Sequence, residues 1–402
     1  MKKIIVALTI MVAGHLNGMS QQLSGIQFTD GKSESRMSFD LYNNLIFLHC
    51  TVNNSKPGWF IFDTGSAVTM LDSTFAVDNQ INIRDTVISR FSGKKVPGSK
   101  HLTFHIGHAQ LSEVSARVMN TFQLSSVIGR KIDGIIGYDF LEQFVVEVDY
   151  FNRNLRFMDP GKFTYKGKGK PLALELNKAN WPMTPVVLHG NDKQAEGMII
   201  LDSGSLMGLS LTSSELAEET IPYPISFGIT GAGEGSRMGR LDTFEIDGNT
   251  INNCIAGFPA KETDESTDDI SRTVSESGLG LIGSEIMVRF TWTFDYTRKT
   301  VFVEPNARIH EPFEFDMSGL TIITIDDAYK TFMIIATTSG SPAEQSGLQP
   351  GDILLEFNDI PAGNYTLSEL RDLFKTESKT FNTRIRRNED VLEKSFITRK
   401  MI

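Results

Sequence analysis

The 402-residue sequence contains only two cysteines, Cys50 and Cys254, so disulfide staples cannot carry its stability and a hydrophobic core must. Both are expected to be free thiols buried in strands. Positive charge is short as well. The 39 Lys and Arg against 49 Asp and Glu leave a formal net charge of -10. That balance argues against a phosphate-binding surface, and no nucleic-acid partner is expected. Beyond the N-terminus no apolar run is long enough to anchor the chain in a bilayer, so no stable membrane anchor is expected. Among the seven histidines none is placed to serve a serine nucleophile. His101, His105 and His108 fall on a strand-like stretch, where they sit too far apart to grip one ion. Neither a metal nor a cofactor is expected.

What is present begins with a targeting pattern. Lys2 and Lys3 precede a short apolar run from Ile4 to Ala13, and small residues Gly18 and Ser20 follow. Residues 1–20 are expected to be a signal peptide, with the mature chain exported to a periplasm or the extracellular medium. No cysteine follows the run, which argues against a lipid anchor.

The remainder carries an internal duplication. Asp63-Thr64-Gly65-Ser66 recurs as Asp202-Ser203-Gly204-Ser205. Gly134-Ile135-Ile136-Gly137 recurs as Gly280-Leu281-Ile282-Gly283, and Asp149-Tyr150 and Asp295-Tyr296 each begin 12 residues past the last glycine. Thr103-Phe104-His105-Ile106 is answered by Thr243-Phe244-Glu245-Ile246. Strand patterns dominate: Leu45 to Val52, Trp59 to Asp63, Phe144 to Asp149, Gly197 to Asp202 and Phe290 to Asp295. Helices are few, with candidates at Asp139 to Phe144 and Ser214 to Glu218. The expected architecture is mainly β: lobe one over 24–160, a basic glycine-rich linker at 161–170, and lobe two over 171–307. An acidic stretch from Lys261 to Ser277 reads as a solvated loop.

The duplicated turn carries chemistry. Apolar Ile61-Phe62 and Ile200-Leu201 anchor each turn to a core strand, and glycine lets the backbones approach without a Cβ between them. Two carboxylates brought together cannot both ionise readily, so one pKa rises and the other falls. The ionised partner can take a proton from water while the protonated one polarises a carbonyl. An isolated Asp-Thr-Gly-Ser is an ordinary turn. Its recurrence with the same downstream companions is not.

These motifs resemble those of the pepsin-like and retropepsin-like aspartic proteases over roughly residues 24–305. The segments 134–141 and 280–287 look like the hydrophobic-hydrophobic-Gly stretches that buttress the catalytic turns of that family. The resemblance implies two β barrels, catalytic Asp63 and Asp202, supporting Thr64, Gly65, Ser66, Ser203, Gly204 and Ser205, and a polypeptide substrate held extended between the lobes of a monomer. The family's flap tyrosine has no counterpart between Ser89 and Lys100. The glycine-rich Gly228 to Gly235 segment, centred on Gly231, Ala232 and Gly233, occupies a flap-like position in lobe two. It lacks the Gly-Lys-Ser/Thr ending of a phosphate-cradling loop.

After Pro305 the pattern changes to a small α+β domain over 315–400. Ser341-Pro342-Ala343-Glu344 and Gly347-Leu348-Gln349-Pro350-Gly351-Asp352-Ile353 resemble a PDZ domain of the bacterial protease-associated kind. That likeness implies a carboxylate-binding loop at Gly319, Leu320, Thr321 and Ile322, with a peptide C-terminus added beside the strand from Leu320 to Ile325. A domain that only braces the protease fits the same residues. The leading expectation is therefore an aspartic endopeptidase with a peptide-recognition domain. The alternative is a catalytically silent peptide-binding protein of the same fold.

Overall fold

Turn chemistry sets the strand pairing from the first hairpin. Asn43 and Asn44 adopt φ of 51° and 62° between strands Asp40–Tyr42 and Leu45–Val52, the two left-handed positions of a tight hairpin turn. Asn191 and Asp192 repeat the device between Pro182–Gly190 and Lys193–Leu201. The computed structural model describes residues 25–89, 93–228, 231–259 and 277–402, with backbone alone for 224–228 and 231–235. The expected signal peptide at residues 1–20 and nearly all of the acidic stretch near 261–277 lie outside the described residues.

The chain is mainly β, and the sequence repeat is a repeat of topology. In lobe one, Gly58–Phe62 pairs antiparallel with Leu45–Val52 and parallel with Gly134–Ile136, which runs antiparallel to Met70–Asp72. Lobe two matches it. There Lys193–Leu201 pairs antiparallel with Pro182–Gly190 and parallel with Gly280–Ile282, which runs antiparallel to Leu209–Leu211. Each lobe closes with a further parallel pair, Met70–Asp72 with Ala109–Met119 and Leu209–Leu211 with Asn249–Phe258.

A six-stranded sheet joins the lobes, three strands from each: Leu172–Ala173, Thr300–Pro305, Phe290–Asp295, Val145–Asp149, Asn154–Met158 and Glu34–Ser38. At its centre Val145 faces Asp295, Glu147 faces Thr293 and Asp149 faces Thr291. The local twofold passes through the Glu147–Thr293 pair. The duplicated Asp149 and Asp295 serve this sheet rather than chemistry. Asp149 Oδ1 accepts the Asn152 N–H at 2.9 Å, and Asp295 Oδ1 accepts the Arg298 N–H at 3.0 Å, fixing the hairpin turn that follows each strand. One continuous hydrophobic cluster, including Phe62, Phe144, Leu201, Trp292 and Phe294, runs through both lobes. Side chains buried to this degree contribute about 1.5–3 kcal/mol each, so the lobes share one core.

The C-terminal domain has its own core, built on Ile322, Phe332, Leu354, Phe357, Leu370, Phe381 and Phe396. Its main sheet order is Leu320–Thr324, Phe332–Thr337, Ile353–Phe357, Thr380–Arg387 and Asp390–Ile397. Helix Pro342–Gln345 starts at the Ser341 N-cap with proline in the first turn, and Gly347 follows it at φ 80°. Helix Leu367–Leu373 opens with a reciprocal Thr366–Glu369 capping box.

Helices differ from the sequence reading in several places. Ser214 to Glu218 forms a turn, because the Ser213 hydroxyl takes the Glu215 N–H and Ala217 N–H bonds back to Ser214 O. Ser73–Asp78 is a helix that the Asp72 side chain caps through the N–H groups of Thr74 and Phe75. Phe122–Ile128 is a helix that ends at Gly129, φ 84°.

Candidate active site

Each acidic turn is placed by its buried strand. Phe62 and Leu201 are fully buried at the ends of Gly58–Phe62 and Lys193–Leu201, and the next residue in each case is the aspartate. The parallel neighbour then pins the turn: Asp63 N–H donates to Ile136 O at 3.1 Å, and Asp202 N–H to Ile282 O at 2.9 Å. The Gly-Ile-Ile-Gly and Gly-Leu-Ile-Gly motifs thus act as clamps. Downstream, Tyr138 N–H bonds Ser66 O and Ser284 N–H bonds Ser205 O, both at 2.8 Å.

The two turns grip one another. Thr64 Oγ1 donates to Leu201 O at 2.7 Å and accepts Ser203 N–H at 3.0 Å. Ser203 Oγ donates to Phe62 O at 3.0 Å and accepts Thr64 N–H at 3.0 Å. Both side chains are fully buried, which makes every one of these bonds costly to lose. Ser66 and Ser205 stay within their own turns, Ser66 Oγ donating to Val68 O and Ser205 Oγ accepting Met207 N–H.

This grip sets the carboxyls side by side. A Cβ on Gly65 would lie 2.3 Å from the Asp202 carboxyl carbon, and one on Gly204 would lie 2.4 Å from that of Asp63. Gly65 N–H donates to Asp63 Oδ1 at 2.8 Å, and Gly204 N–H to Asp202 Oδ1 at 3.0 Å. Asp63 is 6% exposed, whereas Asp202 is half-buried. Burial first, then the Asp202 charge, holds the Asp63 carboxyl well above the usual range, against bonds from Gly65 and Gly204. Burial also raises Asp202, but a hydrogen bond from Asp63 and the N–H groups of Gly204 and Ser205 pull it down. Both carboxyls are therefore held above the usual range, and the pair titrates as one unit in which one member keeps its proton while the other ionises.

Two hairpins stand at matching places after the two turns. Lobe one has Asp85–Ile88 with Lys95–Ile106, and lobe two has Thr220–Gly228 with Gly231–Ile246. Gly231, Ala232 and Gly233, expected in a loop, lie on a strand opposite Gly228, Phe227 and Ser226. Backbone N–H and C=O pairing carries the ladder through these residues. Two polar cavities, of about 480 and 290 Å³, lie on the six-stranded sheet beside Glu147 and Arg156, and neither includes a residue of the acidic turns. Among the described residues, no group of three or more His, Cys, Asp or Glu could hold a metal ion.

In the C-terminal domain Gly319, Leu320, Thr321 and Ile322 come together at the start of strand Leu320–Thr324, and all four are buried. Their loop is closed by residues the sequence reading passed over. Asp316 accepts Ser318 N–H at 3.3 Å and Gly319 N–H at 2.6 Å, while Ser318 Oγ takes Leu320 N–H at 3.0 Å. The Asp-x-Ser-Gly order was the available signal, since Asp and Ser side chains cap nearby backbone in such turns. Burial pushes the Asp316 carboxyl up to about 6, against the pull of Ser318 and Gly319.

Comparison with known proteins agrees with both halves. Residues 48–140 match the family model described as aspartyl protease, and residues 334–387 match the model described as PDZ domain. Among solved structures, the HtrA3 PDZ domain bound to a phage-derived ligand (FGRWV) aligns at 25% identity, covering 21% of this chain and 86% of that one, with a TM-score of 0.19. No curated protein matches. The chain carries an aspartyl protease domain, matched over residues 48–140, and a C-terminal PDZ domain, matched over residues 334–387.

Proposed function

We propose that the chain is an aspartic endopeptidase that hydrolyses peptide bonds with water activated between Asp63 and Asp202. The observation that carries this reading is the reciprocal Thr64–Ser203 grip, which sets one protonated and one ionisable carboxyl against each other in a buried floor. Asp202 takes a proton from the water, and the water oxygen bonds to the peptide carbonyl carbon. Asp63 gives its proton to the carbonyl oxygen. Collapse of the resulting diol breaks the C–N bond as one diol hydroxyl returns its proton to Asp63 and the proton on Asp202 passes to the leaving amine. No covalent acyl-enzyme forms.

The two hairpins are the flaps in this reading, and the glycines of 231–233 give the lobe-two tip its freedom to close over substrate. The PDZ domain recognises a peptide carboxyl terminus, and the enzyme works as an exported monomer. The test is turnover of an unstructured protein over about pH 3 to 7, with Asp63→Asn and Asp202→Asn as controls. Either substitution should reduce kcat by at least about a thousandfold, because both protonation roles are required. Unchanged turnover in folded Asp63→Asn protein would refute the assignment.

A further inference from the structure

Strand Leu320–Thr324 is the edge of the PDZ sheet and, among the described residues, pairs on one side only, with Phe332–Thr337. The free side of an edge strand offers the N–H and C=O groups to which an added peptide strand would bond. Here lobe one meets that strand. Helix Phe122–Ile128 packs against it, and Thr324 Oγ1 donates to Ser126 O at 3.1 Å. Helix Leu367–Leu373 also lies beside the edge strand. Its Arg371 donates through Nη2 to Val127 O at 2.7 Å and to Ile322 O at 3.3 Å. One guanidinium therefore ties together the edge strand, the neighbouring PDZ helix and the end of the lobe-one helix. Gly129 completes the contact, since a Cβ there would stand 2.5 Å from Leu367 Cβ.

The loop ahead of the strand is taken as well. The N–H groups of Ser318, Gly319 and Leu320 are the kind of donors a terminal carboxylate needs, and all three bond to Asp316 or Ser318. The domain also reaches lobe two. Strand Thr220–Gly228 of the hairpin packs against Phe332–Thr337, and the Tyr223 ring meets Phe315 edge-on at 6.3 Å.

We infer that the end of helix Phe122–Ile128 is a resident intramolecular occupant of the PDZ groove, so that lobe one and a peptide carboxyl terminus compete for the same edge strand. This rests on the reading of the domain as a carboxyl-terminus receptor. A receptor whose open state is only a fraction of the population binds its ligand more weakly by that fraction. Ligand capture would free lobe one and shift the base of the lobe-two hairpin together, and such coupling runs equally in both directions.

The test uses the full chain carrying Asp63→Asn, so that the probe is not cut. The probe is a fluorescein-labelled hexapeptide pool with free apolar carboxyl termini, and the amidated pool is the control. Adding Thr324→Val and Arg371→Met removes the bonds to Ser126 and Val127 and should tighten anisotropy-detected binding by about tenfold or more. Hydrogen exchange at Leu320–Thr324 should be slow with the latch intact and faster without it. Equal binding, or equal exchange, in the two proteins would overturn the latch. Equal binding would leave the receptor reading standing, whereas binding by neither would overturn both.

Discussion

Gly65 stands so close to Asp202 that a Cβ would lie 2.3 Å from the carboxyl carbon, and Gly204 stands against Asp63 in the same way at 2.4 Å. What excludes a side chain at these positions is space, because the obstacle is the facing carboxyl itself. The duplicated glycines therefore set the separation of the pair.

Gly65→Ala or Gly204→Ala should push the carboxyls apart while the strands beneath them hold. A displacement near 1 Å at reacting groups costs about a hundredfold in rate, so kcat should fall by that order. Overpacking should cost about 1–3 kcal/mol of stability. Steady-state kinetics beside thermal unfolding separate the two effects.

The pH dependence has a defined sign. Burial and the Asp202 charge raise Asp63, so kcat/KM should fall on the alkaline side as Asp63 loses its proton. Because the folded pKa exceeds the unfolded one, the stability this group contributes is complete below about 3.9, the unfolded value. It is lost as pH rises through the folded value. Asp63→Asn removes that loss. Its Tm should exceed the wild-type value near neutral pH, and the gap should close towards about pH 4. A wild-type Tm equal to or above the variant's throughout would contradict this account.

Thr64→Val should orphan Ser203 N–H and Leu201 O, and Ser203→Ala should orphan Thr64 N–H and Phe62 O. Each buried orphan costs about 1–3 kcal/mol. The double variant should lose less than the sum, since the two residues form one network. Urea unfolding of the four proteins gives the coupling directly.

Asp352 is fully buried and accepts Arg387 through Nε and Nη2, both at 2.7 Å, together with Gln349 N–H at 3.0 Å. Asp352→Ala should destabilise the PDZ domain by on the order of 3 kcal/mol by breaking a pair with one buried member. Calorimetry should show an earlier transition for that domain and little change in the protease lobes, whose core is separate.

Much of this was readable from residue order because the causes are local. Buried strands announce themselves as apolar runs, which is why Leu45–Val52 and Phe290–Asp295 match their expected limits. The Thr366–Glu369 box and the Ser341-Pro342 start act within one helical turn. The duplication needed only self-comparison, and it named both aspartates and the clamp motifs beneath them.

Other features depend on residues far apart in the chain. The Thr64–Ser203 exchange spans 139 positions, and the Thr324–Ser126 contact spans 198. That both carboxyls are buried and held above the usual range follows from the meeting of two distant turns, a property neither tetrapeptide contains. The short helix Phe122–Ile128 has little periodicity to reveal it, yet its end lies on the PDZ edge strand. Local energetics wrote the parts into the chain, whereas long-range packing chose their partners, because burial and hydrogen-bond geometry exist only once distant segments meet.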